Sequence, residues 1–184
     1  MIRILIIFFI LNFNFSASAS IKESIISKLE LTKNLSFNFK QTINDSDENG
    51  SCIIKYQKKI YCEYNNINRK IIVSNGKSLV IKNVNTGSYY RYPLNKTPLV
   101  YLLDKEYLIS KMNTLEPREI DNKYLNFTFF ENNSEINVFF DKISLNLVGW
   151  QTEDIYQNLA VTFISSVKIN QKIDNKIFTL PKNN

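Results

Sequence analysis

The sequence predicts a mainly β protein of the α+β class: an antiparallel meander of about nine to eleven short strands, enough to curl into a barrel or an open half-barrel. Three observations carry this. From Leu35 onward apolar and polar residues alternate with a period of two. Hairpin dipeptides such as Asn75-Gly76 separate the apolar runs. Gly and Pro, four of each, are too few for long linkers, so most of the chain is regular structure joined by short turns.

The chain opens differently. Residues 1–15 hold one charge, Arg3, and the apolar run Ile4–Leu11, and are followed by Ala17-x-Ala19. A basic start, an apolar stretch too short to span a bilayer and a small-residue cleavage site predict a secretory signal peptide over 1–19. The mature domain is then expected over 20–184, 165 residues long, outside the cytoplasm, where paired cysteines oxidise. A bacterial lipoprotein needs Cys after the cut, and Ser20 stands there. Ser20-x-x-Glu23 has capping-box spacing, and Ile21, Ile25 and Leu29 recur every four residues, so Ser20–Lys33 reads as an amphipathic helix.

Leu35, Phe37 and Phe39 alternate with polar residues as a half-buried strand. Gly50-Ser51 is expected to open a hairpin whose strands carry Cys52, Ile54 and Tyr56, then Ile60, Cys62 and Tyr64. Only a three-residue loop, Tyr56-Gln57-Lys58, keeps both apolar sets on one face, and that register sets Cys52 opposite Cys62. A disulfide between them is expected, closing a loop of about ten residues worth roughly 2–3 kcal/mol. The alternative is two small buried thiols. Further strands read over Lys70–Val73, Ser78–Lys82 and Tyr89–Tyr92. Thr97-Pro98 is an expected N-cap with Pro at the first helical position, opening the apolar helical stretch Leu99–Leu103 and then Asp104–Ser110. Strands resume at Tyr124–Phe130, Ile136–Phe140, Leu145–Trp150 and Leu159–Ser165, with a last short one near Ile177–Leu180.

Composition excludes some classes of function. With no histidine, Ser-His-Asp and Cys-His nucleophile systems and His-ligated metal sites are ruled out in their usual form. A net charge of +6 is spread along the chain without a basic block or a basic–aromatic motif, so nucleic-acid binding is not indicated. Asp104, Glu106, Glu131, Asp141 and Asp154 form no recognisable carboxylate pair, which weighs against a hydrolase.

The concave face of a curled meander is expected to hold Leu35, Phe37, Phe39, Ile54, Ile60, Val80, Phe127, Phe129, Val138, Phe140 and Trp150. Such residues either fill a core, the usual outcome, or line a cavity for an apolar ligand. The inserted helix around Pro98, Leu99, Leu102 and Leu103 must bury its apolar face, and the open side of the sheet is the place available. A helix there is not tied into the sheet's hydrogen bonds and is expected to act as a lid.

At this point several stretches converge. They are Phe37-x-Phe39-x-Gln41-x-Ile43, Gly50 with its hairpin, Val73-Ser74-Asn75-Gly76-Lys77-Ser78-Leu79, Tyr92-Pro93-Leu94-Asn95-Lys96-Thr97-Pro98-Leu99, and Leu147-Val148-Gly149-Trp150-x-x-x-Asp154. In this order, after a signal peptide and an amphipathic helix, the chain resembles the LolA family of periplasmic carriers of outer-membrane lipoproteins. The resemblance implies an incomplete antiparallel β-barrel around a hydrophobic cavity for lipoprotein acyl chains, capped by helices. It implies no catalytic residue, cofactor or metal, and a monomer. It also implies three partners: lipidated lipoproteins as cargo, an inner-membrane lipoprotein-releasing ABC transporter, and an outer-membrane acceptor. Family members commonly carry Arg-Pro at the hairpin turn, where that Arg helps hold the lid shut. Tyr56 and Gln57 occupy the matching positions here, so Tyr56 is the expected latch, its hydroxyl donating to a lid carbonyl. A periplasmic sensor of lipids or lipoproteins and a LolB-like acceptor are the alternatives, and Ser20 speaks against the second.

Overall fold

The computed structural model describes residues 20–56, 58–154 and 156–183; the expected signal peptide lies outside the described residues. Helix α1 (Ile21–Leu31) opens with the capping box formed: Ser20 Oγ accepts from the Glu23 amide at 3.1 Å, and Glu23 Oε2 accepts from the Ser20 amine at 2.8 Å. The helix ends earlier than Lys33 because the Thr32 hydroxyl caps the Lys28 carbonyl and the backbone there turns extended. Ile25, Ile26 and Leu29 are buried, whereas Ile21 is half exposed.

Eleven strands follow: β1 (Asn34–Ile43), β2 (Ser46–Lys55), β3 (Lys59–Tyr64), β4 (Lys70–Asn75), β5 (Ser78–Asn83), β6 (Tyr89–Pro93), β7 (Arg118–Ile120), β8 (Tyr124–Glu131), β9 (Ser134–Asp141), β10 (Leu147–Glu153) and β11 (Leu159–Ile169). They form one antiparallel sheet in the order β6-β5-β4-β3-β2-β1-β11-β10-β9-β8-β7, which does not close into a barrel. β6 and β7 are its free edges, the first bearing Arg91 and Pro93 and the second only three residues long with Arg118 and Glu119.

Two register shifts bend this sheet. β11 carries an extra residue against β1 between Ser36 and Asn38, where Ser166 has a φ of 54°. β10 carries another against β9 between Leu147 and Gly149. An extra residue on one strand kinks it and increases the local twist, which is how a long meander becomes concave.

Several turns fall elsewhere than expected. Gly50 does not open a hairpin; it sits in the middle of β2, and the β1–β2 turn is Asn44-Asp45, both at positive φ. Asn132-Asn133 joins β8 to β9 in the same way. Both match the strand twist, as two-residue hairpins of left-handed residues do. A side chain at Gly50 would meet the Glu63 carbonyl at 2.1 Å, and the Phe39 ring lies across this glycine. The final strand expected near Ile177–Leu180 is instead a 3-10 turn, Asn175–Phe178, capped by Asp174.

Between β6 and β7 lie a 3-10 turn (Leu94–Lys96) and helices α2 (Leu99–Leu103) and α3 (Lys105–Asn113). Thr97 does not cap α2. Its hydroxyl turns back to the Leu94 carbonyl at 2.8 Å, and Pro98, already helical in conformation, stands at the N-cap. α3 is capped by Asp104, whose carboxylate accepts from the Tyr107 amide at 3.2 Å. No helix among the described residues is long and apolar enough to cross a membrane.

Candidate functional site

Strand alternation decides which residues face the concavity. β1 directs Leu35, Phe37, Phe39, Gln41 and Ile43 inward, and its register with β2 matches Leu35 to Ile54 and Phe37 to Cys52. On β3 the inward set is Ile60, Cys62 and Tyr64, with Ile54 opposite Ile60 and Cys52 opposite Cys62. Lys55 pairs with Lys59, which leaves three residues for the turn and produces the register that the apolar pattern requires. A disulfide joins Cys52 to Cys62.

The concave face is divided. Over one part, Leu35, Phe37, Ile54, Phe127, Phe129, Val138 and Phe140 are buried in one cluster with Ile25, Leu29, Leu108 and Met112 of α1 and α3. Here the large side chains fill a core. Phe127 sits edge-on to Phe140 with centroids 5.9 Å apart. Over the other part the face is hollow. A cavity of about 420 Å³ is walled by Phe39, Ile60, Leu79, Ile81, Trp150 and the Cys52–Cys62 pair, and roofed by Pro98 and Leu99. That volume falls within the range of small-molecule sites, about 300–1,000 Å³. The boundary between core and hollow is aromatic: Phe37 meets Trp150 edge-on at 5.9 Å, and Phe39 meets Tyr64 edge-on at 4.8 Å.

Val80 is not on this face. It pairs with Val73 and Arg91, while its neighbours Leu79 and Ile81 line the cavity, so Val80 points to the convex side. It is nonetheless fully buried, because the C-terminal segment crosses there. The 3-10 turn packs on β3 and β4, Phe178 is buried, and Lys82 donates to the Lys182 carbonyl at 2.8 Å. An uninterrupted Leu79-Val80-Ile81 run is the mark of a strand covered on both sides.

The roof also differs in detail. Leu102 and Leu103 are buried in the core cluster, whereas Leu99 is only partly buried and faces the cavity beside Pro98. Tyr56 lies in the core with Ile54, and burial pushes its hydroxyl well above the usual tyrosine range. Among the described residues no lid carbonyl accepts from that hydroxyl; the ring follows Ile54 on the inward face and is taken into the core. Lys105 Nζ of α3 stands 5.6 Å from the centroid of the Tyr56 ring, and the ion pair from this hairpin to the helices comes from the other side of the turn. Lys58 Nζ pairs with Asp104 Oδ2 at 2.7 Å, at the junction of α2 and α3. A second tie, Lys111 to Glu131 at 2.5 Å, holds α3 to the end of β8.

One stretch of the cavity wall is polar. Gln41, Tyr64, Lys70 and Thr162 all line it. The Tyr64 hydroxyl donates to Gln41 Oε1 at 3.1 Å, and Gln41 Nε2 donates to Thr162 Oγ1 at 2.9 Å. Lys70 Nζ lies 3.8 Å from the centroid of the Tyr64 ring and is paired with Glu48, the β2 partner of Gln41 on the same face of the sheet. The apolar pattern does not mark this group; Gln41 and Thr162 sit at inward-facing positions of β1 and β11, which the alternation alone could have exposed. Among the described residues no group of three or more Cys, Asp or Glu is placed to hold a metal ion.

Among solved structures, a conserved protein from Thermus thermophilus shares this fold at a TM-score of 0.52, with 8% identity over 88% of this chain and 93% of that one. A LolA superfamily protein from Nitrosomonas europaea matches at 0.46, with 13% identity over 88% and 99% of the two chains. MucB matches at 0.49, with 6% identity over 88% of this chain and 62% of its own. No curated protein matches the chain. The family model described as outer membrane lipoprotein carrier protein LolA matches residues 30–181, and the chain belongs to the LolA family.

Proposed function

We propose that this protein is a soluble periplasmic chaperone that takes the acyl chains of lipoproteins leaving the inner membrane and carries them to an outer-membrane acceptor. The observation that carries the reading is the apolar hollow of about 420 Å³ on the concave face, roofed by a short helix that shares no sheet hydrogen bonds. Each acyl methylene moved from water into such a space gains roughly 0.8 kcal/mol. Family membership supports the choice of cargo, and an ABC transporter and an outer-membrane acceptor are the partners such a carrier needs.

The roof makes the binding reversible. Leu99 occupies the hollow's ceiling when no ligand is present and must move aside for a triacylated cargo, so its own apolar contacts compete with those of the ligand. Lys58–Asp104, side chains 41% and 27% exposed, acts as the latch in place of an arginine. An ion pair so placed is worth about 0.2–1 kcal/mol, enough to bias a lid without locking it. The reaction is transfer only, with no bond made or broken in the cargo.

The test is release of radiolabelled lipoprotein from spheroplasts. The purified protein should bring the label into the soluble fraction as a one-to-one complex, and depletion in cells should strand lipoproteins in the inner membrane. Label that stays with the membrane at any protein concentration rejects the carrier role.

A further inference from the structure

The polar stretch of the cavity wall has more hydrogens to give than it uses. Gln41 directs its carbonyl to Tyr64 and one N–H to Thr162, leaving the second N–H. Among the described residues the Thr162 hydroxyl hydrogen has no acceptor, and Lys70 commits one of its three to Glu48. Tyr64 keeps its proton, since burial pushes its hydroxyl well above the usual range. The carboxylates at the β10 end of the cavity are already engaged: Glu153 accepts from the Ser134 hydroxyl at 2.8 Å, and Asp154 accepts from the Tyr156 and Asn158 amides at 2.7 and 2.9 Å. Beside the ladder the wall carries Asn83 opposite Lys70, and further on the apolar Phe39, Ile60 and Leu79.

We infer that Gln41, Lys70 and Thr162 form a donor ladder that binds the ester carbonyls of a glycerol-linked lipid, fixing where the polar end of the ligand sits while its hydrocarbon runs towards the disulfide and Leu99. An apolar cavity alone would hold a chain in any position along its length; convergent donors define one. Ester carbonyls only accept hydrogen bonds, and Gln41, Lys70 and Thr162 each have a hydrogen left to give. The ammonium is tolerated in this setting because Glu48 balances its charge and the Tyr64 ring covers one side of it. This inference rests on the carrier reading for the presence of a lipid in the cavity.

The same esters occur in a lipoprotein's diacylglyceryl group and in a membrane glycerophospholipid, and the experiment separates them. Affinity is measured by displacement of a fluorescent fatty-acid probe, using a synthetic dipalmitoyl-glyceryl-cysteine peptide and its dialkyl ether twin, which lacks both carbonyls. The same is done with ester and ether forms of a phosphatidylglycerol. Wild-type protein should bind the ester lipopeptide about tenfold more tightly than the ether form, the expectation for a hydrogen bond from a charged donor. Lys70→Met and Gln41→Leu should each bring that ratio towards one; the ratio is taken within each variant, and a variant that fails to fold leaves the wild-type ratio to decide. An ester preference in the lipopeptide pair alone assigns the ladder to lipoproteins, and one in the phospholipid pair alone assigns it to membrane lipids. Equal affinity for ester and ether forms overturns the ladder while leaving the carrier role intact, whereas failure of every lipid to displace the probe overturns both.

Discussion

Lys58, at the turn between β2 and β3 and in the left-handed region with a φ of 68°, reaches Asp104 at the junction of α2 and α3, an ion pair that ties the sheet to these helices alongside the Lys111–Glu131 pair. Asp104 serves twice, since its other oxygen caps α3. The two roles are separable. Asp104→Asn keeps the cap and removes the pair; Asp104→Ala removes both and should cost about 1 kcal/mol more in unfolding free energy. Both variants and Lys58→Ala should exchange the amides of Leu99–Leu103 faster, and salt should quicken that exchange in the wild type but not in the variants. Hydrogen exchange read by mass spectrometry provides the check.

Leu99→Asp should weaken acyl-chain binding by about tenfold or more with a modest loss of stability, because Leu99 is partly exposed to the cavity. Leu102→Asp places a carboxylate in the packed core and should unfold the protein outright. Lipid titration paired with thermal unfolding distinguishes the two; equal lipid affinity in a folded Leu99→Asp variant would remove Leu99 from the site.

Reduction of Cys52–Cys62, or replacement of both by Ser, should lower the unfolding free energy by roughly 2–3 kcal/mol, the loop-closure expectation for a ten-residue separation. Urea denaturation of oxidised and reduced protein measures it. Intact mass without reductant should show two hydrogens fewer than the free-thiol chain.

Gly50→Ala is expected to be among the most damaging single changes. The added carbon would lie 2.1 Å from the Glu63 carbonyl, a backbone atom fixed in the β2–β3 ladder, and 2.9 Å from the Phe39 ring. A loss of about 1–3 kcal/mol or more follows from such overpacking, and the displaced ring would narrow the cavity. Denaturation midpoints of Gly50→Ala and wild type compare directly.

Acid should loosen the tie between α3 and β8. The Lys111 ammonium beside Glu131 holds that carboxyl below the usual carboxylate range. A depressed pKa in the folded state adds stability above the unfolded value of about 4.3, and that contribution is lost as pH falls through the folded pKa. Glu131→Gln should therefore flatten part of the fall in stability below about pH 4.5. Unfolding midpoints across the acid-to-neutral range would show it; identical profiles for variant and wild type would contradict the assignment.

How much of this is legible in the sequence depends on whether a strand shows one face or two. β1 to β3 alternate cleanly, and their pattern alone places Cys52 against Cys62. β5 does not alternate, because the C-terminal segment runs over the outer side of the sheet there, where Lys82 meets the Lys182 carbonyl, and so a period-two reading puts Val80 on the wrong face. The turns at Asn44-Asp45 and Asn132-Asn133 are readable from their chemistry but are hidden by more familiar glycine signals. Helix α2 shows as an apolar helix in a β-meander, yet which leucine faces the hollow depends on how it docks, and five residues carry no periodicity to reveal that. The polar group is half legible: alternation puts Gln41 and Tyr64 on the inward face, but only the curvature of the sheet brings Lys70 beside them at one hollow.

The two unpaired margins of the sheet have a consequence for how such a molecule survives in a crowded compartment. An incomplete barrel leaves exposed backbone that invites another copy to add strands, the first step of aggregation. Here one margin ends in proline and bears an arginine, and the other is only three residues long with a charge of each sign. Both are poor templates for a growing ribbon, so an open sheet edge here carries its own protection against strand addition.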